Sequence, residues 1–455
     1  MPTPELPLYD LKTTEGRDAY AQRLARLKNT ASSTSDAAAT VASILADVRT
    51  RGEDALVELM QKFTDPDYTA DYIRVDPATF APAADALDPA LRDAISAAID
   101  NVTYYQQHIK PTDPNPIDLA GATLGLRWTP VDSVGLCVPG GSAVLFSTLI
   151  MLAVPALVAG VPADNIHIIH PPPTTDISKP TDSIRGPRPT PAPAVLATCH
   201  LLGLNNLYAI GGAQGVAALA FGTHTVPPVD LIAGPGNVFV QLAKAQVAGH
   251  TGTDNGFYGP SEIVTLADHT THPPRVAADL LAQAEHDPGK CFLIAWQPDV
   301  ISNIQTELKN QFQKLTRQDA IADALRDESC ALLATDEQHA ATLANQLATE
   351  HLSLAVKDPD AWLTRIRHAG EVFLHDTTPV AAGDYYAGPS HCLPTGTTAR
   401  FTSGVSVYTF LKRTGTVSYS PQTGGMPKTA IQRIDTLATA ESLTAHAASA
   451  RIRQN

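Results

Sequence analysis

The 455-residue sequence is short of cationic side chains, paired cysteines and long apolar runs, and each shortage removes a class of function. Lys and Arg number 32 against 46 Asp and Glu, a formal charge of −14. That sign repels nucleic acid and anionic membrane and points to a small-molecule partner. Five cysteines, Cys137, Cys199, Cys291, Cys330 and Cys392, are scattered with no CxxC pair. Such usage suits a reducing compartment and leaves any metal to His and oxygen donors. The most apolar stretch, "STLIMLAVPALVAGVPA", is broken by Pro155 and falls short of the ~20 residues that span a bilayer, so it reads as a buried helix. The opening "MPTPELPLYDLKTTEGRDAY" has neither the cationic start nor the apolar stretch of a secretory signal, so a cytoplasmic location is expected. No GxGxxG fingerprint occurs, and a dinucleotide site is therefore allowed but not demonstrated by motif.

What is present is an ordinary globular composition, 44% apolar and 17% charged, on a chain long enough for two or more cores. Residues 1–30 are polar and read as an arm that docks elsewhere or frays. From Ala37 to Phe63 the apolar spacing at Val41, Ile44, Leu45, Val48, Leu56 and Leu59 predicts two helices around Gly52. Between about 131 and 240, short β-rich runs ("SVGLCVP", "NIHIIHP", "NLYAIGG", "VDLIAGPGN") alternate with helical ones ("TLIMLAVPALVAG", "AVLATCHLLGL", "AQGVAALAFG"). Alternation of this kind predicts βαβ units and a mainly parallel sheet. The turns "PGGS", "GGAQG" and "GPGN" then put free backbone N–H groups near the carboxyl edge of that sheet, where open α/β sheets bind ligands.

Residues 171–193, "PPPTTDISKPTDSIRGPRPTPAP", carry eight prolines and almost nothing to bury, and read as a surface insertion between a strand and the next helix. From about 258 a second α/β stretch begins, with "SEIVTLAD" and "CFLIAW" as strands around a helix, followed by charged helices to about 350. After Phe373 comes a long Gly- and Pro-rich loop holding Asp384 and His391, a length that is usually functional or disordered. The tail 428–455 reads as helical, with Ile431, Ile434, Leu437 and Leu443 as its apolar stripe and Glu441 and His446 off it.

The stretch "LLAQAEHDP", residues 280–288, sets an amide, a carboxylate and an imidazole into an otherwise apolar helical run. On a helix, Gln283 and His286 lie about 60° apart and can reach one point. Taken alone, a Gln and a His near a helix C-terminus are more simply explained by solvent and the helix dipole.

Taken with "EHL" at Glu350 and His351, "GDYYAGPSH" and "AESLTAH", in this order, the pattern resembles the histidinol dehydrogenase family. The resemblance runs from about residue 35 to the end and rests on long strings: "VGLCVPGGSAVLFSTLIMLAVPALVAGV", "GGAQGVAALAFGT", "GPGNVFVQLAKAQV", "GPSEIV", "DLLAQAEHDP" and "AGDYYAGPSHCLPT". It implies a homodimeric, zinc-dependent enzyme that oxidises L-histidinol to L-histidine through the aldehyde with two NAD in succession. The fold it implies is α/β: two incomplete Rossmann-like domains with parallel-sheet cores, a small N-terminal arm (1–30) and a helical C-terminal tail. On this reading 31–130 and 256–400 form the first α/β domain, with the metal and catalytic residues. Residues 131–255 form the second, on the NAD side, and 401–455 form a tail exchanged between subunits.

Carried over position by position, the resemblance makes Gln283, His286 and Asp384 of one subunit and His446 of the other the zinc ligands. Imidazole and carboxylate are usual zinc donors, whereas an amide oxygen is a weak one, so the metal should exchange readily, with Mn²⁺ a plausible substitute. Glu350 and His351 become the acid–base pair: an imidazole titrating near ~6.5 can move the alcohol proton, and the carboxylate can activate water on the aldehyde. Ser147, Ser261, His391 and Glu441 are implied as substrate contacts, and Cys137, Gln214 and Asn237 as cofactor contacts.

Two departures concern the cofactor side: Cys137 stands where many members carry an aromatic Tyr, and "NGFY" precedes "GPSE" where strings like "DMPA" are common. Three other readings remain. A paralogue with the same metal and NAD chemistry could act on another polar alcohol, such as a sulfonated propanediol. A zinc hydrolase would need no NAD, and a non-catalytic metal-binding scaffold would have no need of Glu350 and His351.

Overall fold

In the computed structural model the described residues are 3–29, 36–140, 145–172, 191–254, 256–286 and 289–453. They contain fourteen strands. In chain order these are β1 (Leu8–Asp10), β2 (Ile117–Leu119), β3 (Ala122–Pro130), β4 (Val134–Cys137), β5 (Ile166–Ile169), β6 (Asn206–Tyr208) and β7 (Leu231–Ala233). After them come β8 (Gly252–Thr253), β9 (Glu262–Ala267), β10 (Lys290–Ala295), β11 (Cys330–Leu333), β12 (His351–Ala355), β13 (Glu371–Leu374) and β14 (Leu411–Ser418). Most of the Pro-rich insertion, part of the "PGGS" turn and the end of "LLAQAEHDP" lie outside the described residues.

The alternating texture of 131–240 folds as expected, into a parallel five-stranded sheet ordered β6-β5-β4-β7-β8. Counted from β4 that order is 3-2-1-4-5, the dinucleotide-binding order without its sixth strand. Period-two alternation divides its strands between two cores. Val134, Leu136, Ile166 and Ile168 join the helix Phe146–Ala159 on one face, and Cys137, Ile169 and Ile232 join the helix Gly212–Phe221 on the other. The "STLIMLAVPALVAG" run is that first helix and is buried on nearly every side, Pro155 included. Among the described residues no helix is long and apolar enough to cross a membrane.

The second half builds a parallel six-stranded sheet ordered β1-β11-β10-β9-β12-β13. From β9 this is again 3-2-1-4-5, with β1 added at the edge. The arm therefore docks, pairing Leu8–Asp10 with Ala331–Leu333 and laying the helix Thr14–Asn29 across one face through Tyr20 and Leu27. Central strands buried on both faces read as continuous apolar runs. In β10, Leu293 and Ala295 face the helices Pro273–Ala284 and Pro298–Phe312, while Phe292 and Ile294 face the helix Glu337–Leu347.

Three features differ from the sequence reading. The segment 298–350, read as helices, contains β11, whose "CALL" is too short and too uniformly buried to show a period. Residues 36–109, expected in one domain with 256–400, pack chiefly on the five-stranded sheet and touch the later segment only locally, as where Asn101 Nδ2 donates to the Tyr386 carbonyl at 2.9 Å. The stripe Val41, Ile44, Leu45 and Val48 meets the helices over that sheet, and Phe80, Ile95 and Val102 join its other face. Two helices do flank Gly52, which takes φ 61° as the hinge between Asp36–Arg51 and Glu53–Phe63. A separate antiparallel sheet, β14-β3-β2, pairs Leu411–Ser418 with Thr123–Pro130 and ties the tail to the middle of the chain.

Beyond it the tail is helical as expected but broken. Helices Lys428–Ala440 and Thr444–Arg451 pack on each other through Ile431, Ala438, Ala447 and Ala450, while Leu437 and Leu443 of the expected stripe stay exposed.

Candidate active site

The six-stranded sheet carries a row of charged and imidazole side chains at the amino ends of its strands, where parallel pairing brings neighbouring N-termini level. Glu262 opens β9, Lys290 opens β10, Glu350 directly precedes β12, which His351 opens, and Glu371 opens β13. The helix Pro273–Ala284 runs back antiparallel to the strands and delivers Gln283 at its C-terminal end. It ends at Ala284 with Glu285 as cap, so His286 lies past the helix, in a turn whose N–H reaches the Gln283 carbonyl at 3.3 Å. The 60° helical offset expected for the pair does not apply, and Gln283 is buried while His286 is exposed.

Glu350 is buried and held by the Ser261 hydroxyl at 2.6 Å and the Glu262 N–H at 3.0 Å, both on Oε2. Burial drives its carboxyl pKa well above the usual range, and the charges of Asp384 and Glu262 add to the rise against those two hydrogen bonds. His351 lies alongside, Nδ1 3.9 Å from Glu350 Oε2 and 3.2 Å from Gln283 Oε1. An amide oxygen can only accept, so Nδ1 carries the proton and Nε2 the lone pair. Nε2 is buried without a hydrogen-bond partner and faces Asp384 Oδ1 at 3.9 Å. Burial lowers the His351 pKa to about 3, with His286 and His391 near enough to lower it further.

Asp384 sits in the last turn of the short helix Val380–Tyr385, and burial raises its pKa to about 6. Its backbone carbonyl accepts from His391 Nδ1 at 2.8 Å, which leaves His391 Nε2 to accept from the Thr148 hydroxyl at 3.0 Å. Burial lowers the His391 pKa to about 4. Thr148 and the buried Ser147 occupy the first turn of the helix Phe146–Ala159, which follows β4 of the other sheet. The cluster thus sits where the amino edge of the six-stranded sheet meets the carboxyl edge of the five-stranded one.

Gln283, His286, Asp384, Glu350, His351, Ser261, Ser147 and His391 are therefore drawn into one neighbourhood. His446 and Glu441 are not: both are exposed, His446 on the helix Thr444–Arg451 and Glu441 at the C-cap of the helix Lys428–Ala440. Among the described residues no three His, Cys, Asp or Glu side chains stand together at metal-holding distance. The surroundings of His351 nevertheless suit a divalent cation. His351 Nε2 is buried with a free lone pair, the Gln283 carbonyl oxygen keeps a second lone pair beyond the one facing His351 Nδ1, Asp384 brings a carboxylate whose side chain is 21% exposed, and His286 stands at the exposed end of the cluster with its pKa lowered toward the neutral, donating form. A cation suits such a set, since a half-buried carboxylate among neutral imidazoles has no other counter-charge.

On the cofactor side, Cys137 ends β4 and packs in the core with Ile169 and Ile210, its thiol raised by burial to about 12 and hence neutral. Gln214 is buried in the helix Gly212–Phe221, its amide NH₂ against the Met60 sulfur at 3.5 Å. Asn237 is exposed and caps the helix Val238–Val247, its Oδ1 accepting from the Phe239 and Val240 N–H groups.

The atypical "NGFY" segment is stitched to the His391 loop: Thr395 N–H donates to the Phe257 carbonyl and Gly259 N–H to the Thr395 hydroxyl. Sequence reasoning missed Thr148, whose only signal is its place beside Ser147. It also missed Glu371, a half-buried residue with one buried, unpartnered carboxylate oxygen, whose pKa burial and Asp384 raise to about 7. The ion pair Lys290–Glu262, 3.3 Å apart directly behind Glu350, was likewise absent from that reading.

Comparison with known proteins identifies relatives over nearly the whole chain. A family model described as histidinol dehydrogenase matches residues 27–454. The chain is 42% identical to the histidinol dehydrogenase of Rhodopirellula baltica over 413 residues, 91% of this chain and 86% of that one. It is 40% identical to the Rhodospirillum rubrum enzyme of that name over 96% of both chains. The crystal structure of histidinol dehydrogenase from Elizabethkingia anophelis superposes with a TM-score of 0.85 at 30% identity, covering 98% of each chain.

Proposed function

The chain belongs to the histidinol dehydrogenase family of oxidoreductases, and from that premise we propose that it oxidises L-histidinol to L-histidine through L-histidinaldehyde, with NAD and a zinc ion. The observation that carries the reading is the buried pair Glu350 and His351, adjacent in sequence and side by side at the start of β12. The relatives quoted above favour histidinol over another polar alcohol as substrate.

Each oxidation takes a hydride from carbon and a proton from oxygen, and water must add to the aldehyde between the two. NAD, when bound, accepts the hydrides. A zinc ion held by Gln283, His286 and Asp384, with His446 of the partner subunit as fourth ligand, would supply an anchor for the substrate's amine and imidazole nitrogens. Everything else falls to this chain's side chains. His351 is neutral at physiological pH with its lone pair on Nε2, the state needed to accept the alcohol proton. Glu350, with its basicity raised by burial, takes a proton from the water that adds to the aldehyde, and Ser261 and the Glu262 N–H fix its orientation. His391, locked between Thr148 and the Asp384 carbonyl, presents a fixed polar wall to the substrate. Glu441 of the tail supplies a carboxylate suited to an ammonium group.

The exposed Leu437, Leu443 and Val417 of the tail region support an exchanged tail in a homodimer, which would carry His446 and Glu441 to a partner's site. A cytoplasmic location fits the five free, buried thiols.

Mixing the protein with L-histidinol, NAD and Zn²⁺ should yield two NADH per histidinol. One NADH with accumulating aldehyde would remove the role given to Glu350, and no NADH would remove the activity.

A further inference from the structure

Lys244 and Asp254 form a buried ion pair that the chemistry of Glu350 and His351 does not use. Their charged atoms lie 2.6 Å apart, and the two side chains are only 3% and 0% exposed. A buried pair is expensive to desolvate, and an apolar pair of the same volume would often stabilise a fold better. Here both charges are spent on one backbone residue: Lys244 Nζ donates to the Gly234 carbonyl at 2.7 Å, and Asp254 Oδ2 accepts from the Gly234 N–H at 2.7 Å.

Gly234 opens the "GPGN" turn after β7 with φ 118°, and a side chain there would strike the Cys137 carbonyl at 2.5 Å. The turn is thereby pressed against the end of β4. That position lies between strands one and four of the 3-2-1-4-5 order, the switch point where such sheets take dinucleotides.

Tyr258, from the atypical "NGFY" segment, closes the arrangement. Its ring lies under Lys244 Nζ at 4.9 Å, its hydroxyl donates to the Asp254 and Ser403 carbonyls at 3.2 Å, and its N–H donates to Gln241 Oε1 at 3.1 Å. Gln241 and Lys244 both belong to the helix Val238–Val247 that the turn introduces.

We propose that Lys244, Asp254 and Tyr258 are positioning residues for the cofactor: they clamp both backbone groups of Gly234 and so hold the Gly234–Asn237 turn in the shape that receives NAD. The proposal rests on the cofactor reading given above. None of the three needs to touch NAD.

Isothermal titration of NAD into the full-length protein, with KM for NAD, KM for L-histidinol, zinc content and melting temperature measured in parallel, tests this. Lys244→Met removes hydrogen bonds from a charged donor, and the Kd and KM for NAD should rise by about tenfold or more, with KM for histidinol and zinc content within about twofold of wild type. Lys244→Met with Asp254→Asn leaves no unpaired buried charge, so it should fold better than the single variant and still bind NAD weakly. Tyr258→Phe keeps the ring but not its hydroxyl and should weaken NAD binding by about threefold, and it decides the matter if the lysine variants do not fold. Folded variants with wild-type NAD affinity would overturn the clamp. So would an equal loss of NAD and histidinol affinity, which marks a merely structural role. A wild-type protein with no NAD affinity would instead bring down the cofactor reading, and the clamp with it.

Discussion

The Ser261 hydroxyl stands 2.6 Å from Glu350 Oε2, and these residues are 89 positions apart in the chain. The bond exists because β9 and β12 are neighbours in the sheet and their amino ends are level. Ser261→Ala removes a hydrogen bond to a buried carboxylate, a loss of about 1.5–3 kcal/mol. The aldehyde-to-acid step should slow by roughly ten- to a hundredfold, and single-turnover kinetics with histidinaldehyde check it. Glu350→Gln should stop the reaction after one NADH.

Metal retention should follow the residues around His351. Asp384→Asn and His286→Ala proteins, purified by gel filtration, should carry far less zinc than wild type when assayed by atomic absorption. Thr148→Val, which acts only through His391, should keep its metal and show a raised KM for histidinol. Metal loss in Thr148→Val, or full zinc occupancy in Asp384→Asn, would count against this division of roles.

The tail makes a prediction about assembly. His446 is exposed on the helix Thr444–Arg451 and is not drawn to Gln283 within its own chain. His446→Ala and Gln283→Ala proteins, each inactive alone, should recover up to about a quarter of wild-type activity after co-refolding, because half the dimers are mixed and each mixed dimer has one intact site. Absence of recovery would exclude a shared site.

Asp279 gives a pH-dependent stability. Burial raises its pKa to about 6, against a Val380 N–H that favours the ionised form. The folded state therefore holds this proton where the unfolded chain has released it, between the unfolded carboxylate value near ~3.9 and about 6. Stability from this group is full below the lower value and is lost as pH rises through the window. Asp279→Asn should raise the melting temperature at pH 8 and leave it nearly unchanged at pH 4, as measured by calorimetry.

Much of the site was legible before the fold. The amide, imidazole and carboxylate of "LLAQAEHDP", "EHL" and "GDYYAGPSH" stand out because polar groups in apolar surroundings carry a cost that only a function or a partner offsets. Thr148, Glu371 and Lys290 were not legible, since a threonine beside a serine or a lysine opening an apolar run has nothing unusual about it until the neighbouring strand is known. The same reason hid the Lys244–Asp254 pair, ten residues apart with no local pattern linking them.

The fold divides likewise. Strands β4 to β7 announced themselves through regular alternation with helices, and the long apolar helix Phe146–Ala159 through its composition. Strand β11, hidden among charged helices, and the pairing of β14 with β3 did not, because buried four-residue runs have no period and an antiparallel partner some 290 residues distant leaves no local trace.

The sequence by itself determined the class of fold, the chemical types gathered at the site and the family they belong to, because periodicity and residue chemistry are local properties of the chain. Only the tertiary structure decided that the site lies at the amino edge of one sheet facing the carboxyl edge of the other, that residues 36–109 serve the five-stranded sheet, and that the tail keeps His446 away from its own Gln283. Those outcomes depend on which apolar faces meet and which strand ends come level, and no single segment encodes its partner.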